Sequence, residues 1–254
     1  MARLKKIVRG LLNFAGVNVS ALAALKHTPK YLTQTKLFKR LGGRVDVRYP
    51  ILIDYDDSAG VMKGHYFHQD LYIAQKIYIS QPNRHVDVGS RIDGFVAHVA
   101  SFRLIEVLDI RPVEAKSRNI QFVQSDLMRS ESESSLTDSL SCLHTLEHFG
   151  LGRYGDPLDP DGHLKGFENL IAKVSSGGTF YLSFPISSKE RVEFNAHRVF
   201  HPKSPLSWPG SNQLVLEDFA FVDDHGDLHT GADVDTACDS NLAFGCGIYT
   251  FRKL

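Results

Sequence analysis

Two groups of histidines, one with a glutamate among them, carry the side chains best suited to moving a proton near neutral pH. His144, Glu147 and His148 follow one apolar segment, and His197 and His201 follow the next. Imidazole and carboxyl groups are the usual general bases of enzymes, because their pKa values can be brought close to the working pH. Each group follows a predicted strand, so we expect the two groups to meet at one edge of a sheet. The pattern predicts an active site in which His144, His197 and Glu147 are the catalytic residues.

The segment around His197 is also rich in polar side chains that suit substrate binding. Residues 194–198 read FNAHR and open a long stretch that the sequence predicts to be irregular. Loops of that length inside a compact domain are usually functional. We therefore expect Asn195, Arg198 and the nearby His148 to bind substrate. A surface ion pair is the alternative role for Arg198.

A second set of residues combines a glycine turn with acids at predicted strand ends. Residues 87–90 (DVGS) close the first strand, Asp109 lies 20 residues after Gly89, and Asp126 follows the third strand. A glycine lets the chain turn sharply and approach a ligand closely. A carboxylate at the end of the second strand is placed to accept hydrogen bonds from ribose hydroxyls, and Asp126 to meet the amino group of an adenine. These spacings predict a site for a nucleoside-bearing cofactor.

The middle position of the glycine turn separates two classes of cofactor. A dinucleotide site uses the pattern GxGxxG, whose middle glycine lets a pyrophosphate approach the backbone. Gly89 and Gly94 fit the outer positions, but Arg91 occupies the middle one. S-adenosylmethionine has no pyrophosphate, so the turn favours this methyl donor over NAD(P). An NAD(P)-dependent oxidoreductase is the weaker alternative, and Arg91 also keeps open a non-catalytic protein that uses the same fold for interactions.

After a predicted helix over residues 65–80, strand-like and helix-like segments alternate from residue 84 onward. These elements must position both sets of residues. Helices are predicted over 65–80, 94–103 and 162–174, and strands over 84–88, 104–109, 120–123, 136–143, 179–184, 215–222 and 243–251. Alternation of this kind forms parallel βαβ units with right-handed crossovers. We predict an α/β fold, Rossmann-like and doubly wound, with a mostly parallel seven-stranded sheet and an antiparallel C-terminal edge strand.

The first 60 residues differ from the rest and predict an N-terminal helical and hairpin extension (1–60) to the main domain (61–254). A helical pattern covers residues 1–40, and residues 45–55 have the pattern of a strand or hairpin. Basic residues precede an apolar patch at the start of this pattern. Such a segment suits a helix packed on the main domain, a helix in peripheral contact with a membrane, or a signal peptide.

Composition and charge exclude several other classes of protein. The 29 Lys and Arg residues balance 29 Asp and Glu residues, and a dedicated nucleic-acid binder would usually carry a basic excess. Three cysteines do not make a disulfide framework, which fits a reducing compartment and predicts a cytoplasmic protein. Residues 144–148 match the HxxEH pattern of zinc hydrolases, but a strand-like run precedes it and two glycines follow. We therefore predict no metal site.

Several of these segments resemble a known superfamily. Residues 87–89, 109, 125–127 and 143–148 fall where class I S-adenosylmethionine-dependent methyltransferases keep their cofactor motifs. More narrowly, residues 87–94, 144–155 and 194–198 resemble the domain-of-unknown-function family 268. The resemblance covers about residues 60–254. It implies methyl transfer from S-adenosylmethionine. The neutral net charge and the polar segment around His197 predict that the acceptor is a small polar molecule or a sugar unit.

The resemblance also implies how the cofactor would be bound. Asp87 and Gly89, with Ser90 beside them, would border its methionine part, and Asp109 would hold its ribose. Asp126 and Leu127 would flank the adenine. Leu143 and His144 would lie beside the sulfonium.

Overall fold

The structure, a computed structural model, describes residues 19–114, 116–129 and 136–254. Contacts between Cα atoms divide the chain into two compact units, Met1–Val61 and Met62–Leu254. The interpretation of residues 1–60 and 61–254 as separate domains stays a prediction. No helix in the described ranges is long and apolar enough to cross a membrane.

The described part of the N-terminal unit contains helices but no hairpin. Helix α1 covers Val19–Ala24, helix α2 covers Thr28–Arg40, and short 3-10 turns cover Leu25–His27 and Ile53–Asp56. The expected strands over residues 45–55 are absent. Their alternating apolar side chains are largely exposed, Val47 by 78% and Tyr49 by 80%, and a strand pattern without a surface to pack on does not stabilise a ladder. Residues 1–18, on which the membrane and signal-peptide interpretations depend, lie outside the described residues.

The larger unit is built on one eight-stranded sheet with the order β3-β2-β1-β4-β5-β10-β8-β9. The strands of this sheet are β1 His85–Val88, β2 Ile105–Asp109, β3 Ile120–Gln124, β4 Thr137–Leu143, β5 Val174–Ile186, β8 Leu214–Val222, β9 Leu228–His229 and β10 Gly245–Lys253. Strands β1 to β5 are parallel, whereas β10 pairs antiparallel with both β5 and β8. The predicted Rossmann-like α/β architecture with an antiparallel edge is confirmed.

The predicted strand number of seven is wrong, because the sheet has an eighth strand, β9. Only Leu228 and His229 form it, pairing with β8. The turn before it is closed by Asp223, whose carboxylate accepts the N–H groups of His225 and Asp227 and contacts His229 Nε2 at 2.9 Å. Two residues are too few to show the alternation that identifies a strand. The C-terminal strand β10 is internal to the sheet, so β8 and β9 form its antiparallel edge.

Helices cover both faces of the sheet and bury two apolar clusters. Helix α3 (His65–Ser80) and helix α4 (Ala97–Ala100), which follows a π-helical turn, contribute Ile73, Ile77 and Val99 to one cluster. Helix α5 (Gly162–Lys173) and helix α6 (Val234–Asp239) contribute to the other cluster. The segment around His197, predicted to be irregular, begins as a hairpin of β6 (Arg191–Glu193) and β7 (His197–Val199). This arrangement leaves the carboxyl ends of β1, β2, β4 and β5 open for a site.

Candidate functional site

A cavity of about 680 Å³ opens at the carboxyl ends of the parallel strands. Eight residues predicted from the sequence line it, namely Gly89, Ser90, Asp109, Leu143, His144, Glu147, His148 and His197. A second recess of about 60 Å³ lies beside it, between Asp109 and the turn that carries Asp126 and Leu127. Below, the acidic end of the site means Gly89, Asp109, Asp126 and Leu127. The histidine end means His144, Glu147, His148 and His197.

The turn after β1 needs a glycine for two structural reasons. Gly89 has a φ of +68°, which side-chain-bearing residues rarely adopt. A Cβ atom at this position would also lie 2.3 Å from Cγ2 of Thr145. The bare backbone of Gly89 therefore borders the cavity, with nothing between it and a ligand.

Asp87, predicted to bind cofactor, instead holds this turn from behind. Its carboxylate accepts the Ser90 N–H at 3.0 Å and the hydroxyls of Ser90 and Ser141 at 2.7 and 2.6 Å. Burial raises its pKa to about 6, although the three hydrogen bonds act in the opposite direction. Asp87 is fully buried and lines neither cavity, so it positions Ser90 and leaves Ser90 to face the cavity.

The carboxylate of Asp109 faces both the cavity and the recess, but Arg111 already contacts it. Arg111 Nε lies 3.0 Å from Oδ1, Nη2 lies 2.6 Å from Oδ2, and the Arg111 backbone N–H also donates to Oδ1. The Arg111 guanidinium carbon lies 4.4 Å from the centre of the Tyr154 ring. A ribose that binds Asp109 must therefore compete with a bidentate arginine.

The second predicted acid of the acidic end, Asp126, also has a partner in its own turn. Its Oδ1 accepts the Met128 N–H at 3.0 Å, and its Oδ2 lies 3.4 Å from Nε of Arg129. Leu127 is buried and lines the recess. Both residues therefore lie beside the recess, and their contact with an adenine stays a prediction.

Arg91, the residue that departs from the usual glycine pattern, lies at the rim of the cavity. Its side chain is 53% exposed, and Nη2 contacts Oδ2 of Asp93 at 3.0 Å. The guanidinium carbon lies 5.1 Å from the centre of the Tyr66 ring. Because Asp93 and Tyr66 hold the guanidinium at this exposed rim, Arg91 does not fill the hollow behind Gly89.

Glu147 has the most unusual environment at the histidine end. The residue is 1% exposed, and its Oε2 has no hydrogen-bond partner among the described residues. Burial raises the pKa of this carboxyl to about 8. The titratable groups that face it are His148, Arg153, Tyr66, Cys142 and Cys246. A carboxyl with a pKa near the working pH can accept or donate a proton with little driving force.

Two histidines of the histidine end are held by neighbouring segments. His148 Nδ1 lies 2.7 Å from the Ala196 carbonyl oxygen, so Nδ1 is the protonated donor and Nε2 is left to face Glu147 Oε1 at 3.8 Å. Burial lowers the pKa of His148 to about 4. His144 has a φ of +51° and places Nε2 3.1 Å from Nδ1 of His65. Burial, with the charge of His65 next, lowers the pKa of His144.

Of the hairpin residues predicted to act on substrate, His197 lies in the cavity and Asn195 lies outside it. His197 lines the cavity, and its Nε2 lies 3.4 Å from Oε2 of Glu193. Asn195 is exposed at the hairpin turn and lines neither the cavity nor the recess. Sequence reasoning placed Asn195 in the site because it took this segment to be an irregular loop folded over the cavity.

Arg198, the other predicted substrate-binding residue, is buried and holds a loop. Its guanidinium donates to four backbone carbonyl oxygens, those of Glu147, Phe149, Asp159 and Pro160. The distances to the Phe149 and Pro160 oxygens are 2.6 and 3.0 Å. Arg198 does not line the cavity, so it fixes the segment that carries Glu147 and does not bind the contents of the cavity.

Several cavity residues were not identified from the sequence. They include His65, Tyr66, Arg111, Arg153, Tyr154 and Phe244. His65 is the first residue of a helix that precedes the whole cofactor pattern, and no local spacing connects it to His144. Arg111 could have been predicted from the sequence as a site residue, because it follows Asp109 by two residues at the same strand end.

Comparison with known families and folds agrees with this architecture. The sequence profile of a family described as "Caenorhabditis protein of unknown function, DUF268" matches residues 106–204. No curated protein matches the chain. The resemblance to this family, stated from short segments, is confirmed.

Solved structures with the same fold include two methyltransferases and one cyclase. The N-methyltransferase NodS from Bradyrhizobium japonicum, bound to S-adenosylhomocysteine, matches at 13% identity and a TM-score of 0.51, over 78% of this chain and 92% of NodS. An O-methyltransferase from a trans-AT PKS multienzyme of Brevibacillus brevis, also bound to S-adenosylhomocysteine, matches at 13% identity and a TM-score of 0.52, over 73% of this chain and 72% of its own. The [4+2]-cyclase SpnF matches at 12% identity and a TM-score of 0.51, over 91% of this chain and 95% of SpnF. The fold is therefore that of class I methyltransferases, and the presence of a cyclase means that the reaction must be argued from the site.

Proposed function

We propose that the protein transfers a methyl group from S-adenosylmethionine to a small polar or sugar-type acceptor. One observation carries this proposal. A cavity of about 680 Å³ joins the glycine turn after β1 to a buried carboxyl group, that of Glu147, one oxygen of which has no partner among the described residues. Ligand pockets are commonly about 300–1,000 Å³ in volume, and an unpaired buried carboxyl is costly unless a substrate or a proton uses it. The similar methyltransferase structures with bound S-adenosylhomocysteine support the choice of cofactor.

The residues at the acidic end fit this cofactor in type and in position. Gly89 offers bare backbone, Ser90 adds a hydroxyl held in place by Asp87, and Asp109 presents a carboxylate to both spaces. In this proposal the ribose hydroxyls replace Arg111 on Asp109. Leu127 and Asp126 would then flank the adenine in the recess.

S-adenosylmethionine supplies an activated methyl group, and the chain supplies position and a proton acceptor. Holding the acceptor atom in line with the methyl carbon can lower the barrier by several kcal/mol. Glu147 is the proton acceptor in this scheme, because its carboxyl faces the cavity with a pKa of about 8 and a free oxygen. His197 and the paired His148 would orient the acceptor group from the other side of the cavity.

Binding of radiolabelled S-adenosylmethionine to the purified full-length chain tests the proposal. Equilibrium dialysis should give one saturable site, and S-adenosylhomocysteine should displace the label while NAD does not. Displacement by NAD alone would instead support the oxidoreductase. Absence of any saturable binding by folded protein would remove the methyltransferase proposal.

A second candidate, a non-catalytic protein of the same fold, is favoured by one specific observation. Arg111 occupies the ribose-binding carboxylate, and the adjoining recess measures only about 60 Å³. On this alternative the Arg111–Asp109 pair is a permanent part of the fold. The Arg111→Gln variant separates the two: it should gain cofactor affinity if the pair competes with ribose, and should bind nothing if the site is vestigial.

A further inference from the structure

Three metal-ligating side chains converge behind the histidine end from distant parts of the larger unit. His65 begins α3, His144 follows β4, and Cys246 lies near the start of β10. One ligand atom from each residue lies within 4.8 Å of the other two. His65 Nδ1 lies 3.1 Å from His144 Nε2, and Cys246 Sγ lies 3.9 Å from the other ring nitrogen of His144, Nδ1. Only one of these two ring nitrogens can bind a given ion.

We propose that His65, His144 and Cys246 form a binding site for a zinc-class divalent metal ion. One thiolate and two imidazoles form a donor set typical of Zn²⁺ and of Co²⁺, its spectroscopic substitute, whereas Mg²⁺ and Ca²⁺ prefer oxygen ligands. The site is distinct from the HxxEH reading of residues 144–148, which would have used His148. It replaces the prediction of no metal, which considered only residues close together in sequence.

The separations suit a site that closes slightly around its ion. Metal–nitrogen and metal–sulfur bonds of about 2.0–2.3 Å in a tetrahedron place the ligand atoms roughly 3.3–3.6 Å apart. The pair of His65 Nδ1 and His144 Nε2, at 3.1 Å, is slightly closer than that spacing. The longest separation is at most 4.8 Å, so the thiol or one ring must move by about 1 Å, which a small side-chain rotation provides.

Residues around the three proposed ligands fix the position of the thiol, and the cavity gives an ion access to the two imidazoles. Gln69 Oε1 lies 3.9 Å from the Cys246 sulfur and accepts the Ser183 hydroxyl, so the thiol has a fixed polar neighbour. His65 and His144 line the 680 Å³ cavity, whereas Cys246 is buried behind them. Three protein ligands with one side open to a cavity is the arrangement of catalytic rather than structural zinc sites. The fourth position would therefore face the substrate.

Titration of the metal-free, full-length protein with Co²⁺ tests the site without any enzymatic assay. We expect one equivalent to bind and to produce a thiolate-to-cobalt charge-transfer band together with tetrahedral d–d bands. Added Zn²⁺ should bleach both sets of bands. A protein that stays folded by circular dichroism and gives neither band overturns the proposal and leaves a hydrogen-bonded His–His–Cys cluster only.

Matched variants locate the ion. Cys246→Ser should abolish the charge-transfer band, and His65→Gln should weaken Co²⁺ binding at least tenfold. Cys238→Ser and His201→Gln, at a partly exposed thiol and an imidazole outside the cluster, should change neither. If Cys246→Ser does not fold, His65→Gln decides, since His65 lies at a helix start and is only partly buried. Binding that survives both substitutions would place the metal elsewhere and refute the assignment.

This test is independent of the methyl-transfer proposal. Metal binding needs no cofactor, and loss of S-adenosylhomocysteine binding would leave the cobalt spectrum unaffected. The two ideas therefore fail separately. If the ion binds, His144 is a metal ligand and Glu147 remains the proton acceptor.

Discussion

The acidic end and the histidine end lie in the same site but differ in how their polar groups are satisfied. Asp109 and Asp126 each have partners from their own turns, a bidentate arginine in one case and a backbone N–H in the other. Glu147 is more deeply buried, and one of its oxygens has no partner in the part of the chain that the structure describes. An unsatisfied buried group costs free energy that folding must offset. The contrast indicates that the acidic groups stabilise their own turns through an ion pair and hydrogen bonds. That oxygen of Glu147 makes the histidine end the stronger candidate for the catalytic part of the site.

The largest effect is expected at Glu147. Glu147→Gln removes the proton acceptor while keeping the shape of the side chain, so methyl transfer should fall by about 10²–10⁴-fold. The assay follows the tritiated methyl group from S-adenosylmethionine into a pooled small-molecule extract. Glu168→Gln, on the exposed side of α5, is the control and should retain full activity. Equal loss in both variants would show that the histidine end has no special role.

The same carboxyl predicts how rate and stability depend on pH. Its pKa rises from 4.5 to about 8 in the folded protein, so the base becomes active as pH rises through about 8, and the rate should increase there. Between the two values the unfolded chain has lost this proton and the folded chain has kept it, so the carboxyl's contribution to stability falls as pH rises.

Unfolding in urea at several pH values isolates that contribution. The free energy of unfolding of the wild type should decline relative to Glu147→Gln between about pH 5 and pH 8. The difference between the two proteins cancels the titration of buried groups that do not contact Glu147, such as Asp87. A difference that does not change with pH would mean that Glu147 is ionised in the folded protein.

Arg198 should affect stability rather than binding. Arg198→Gln removes a buried guanidinium from four carbonyl oxygens and should lower the free energy of unfolding by about 2–4 kcal/mol. Affinity for S-adenosylhomocysteine, measured by calorimetry on the folded variant, should stay within about twofold of the wild type. A large loss of cofactor affinity with unchanged stability would return Arg198 to the binding role predicted from the sequence.

Substitution of Asp109 should mainly change the affinity for the cofactor. Asp109→Asn replaces a charged acceptor of ribose hydroxyls, and hydrogen bonds to charged groups contribute about 1.5–3 kcal/mol, so affinity for S-adenosylhomocysteine should fall about 10–100-fold. Asp159→Asn is the matched control, since Asp159 also has a cationic partner, Lys165, and lies outside both cavities. Comparable losses in the two variants would contradict a ribose at Asp109.

The smallest effect is expected at Arg111. If ribose must displace its guanidinium, Arg111→Gln should tighten S-adenosylhomocysteine binding by about three- to tenfold, the range of an ion pair worth about 1 kcal/mol. Arg252→Gln removes a similar bidentate contact, between Arg252 on β10 and Glu217 on β8, and should leave affinity unchanged. Weaker binding in Arg111→Gln would show that this arginine helps to hold the cofactor.

The sequence predicts much of the fold because strand ends and glycine turns are local signals. The bounds of α3 match the predicted helix over residues 65–80, and the spacing of Gly89 and Asp109 brings both to the cavity. Local patterns do not show which partner a side chain finds across the fold. Arg198 and Asn195 were placed by their proximity to His197 in sequence, although one is buried under carbonyl groups and the other is exposed. His65 and Cys246 meet His144 only through tertiary packing.

The most direct test of the account is a thermal unfolding experiment with S-adenosylhomocysteine. At a concentration of about one hundred times its dissociation constant, a single-site ligand stabilises the folded state by about 2.7 kcal/mol. We predict an upward shift of the unfolding temperature with S-adenosylhomocysteine, a smaller shift in Asp109→Asn, and none with NAD. An unfolding temperature that S-adenosylhomocysteine leaves unchanged, in protein that unfolds cooperatively, would contradict the assignment of the cavity to a methyl donor.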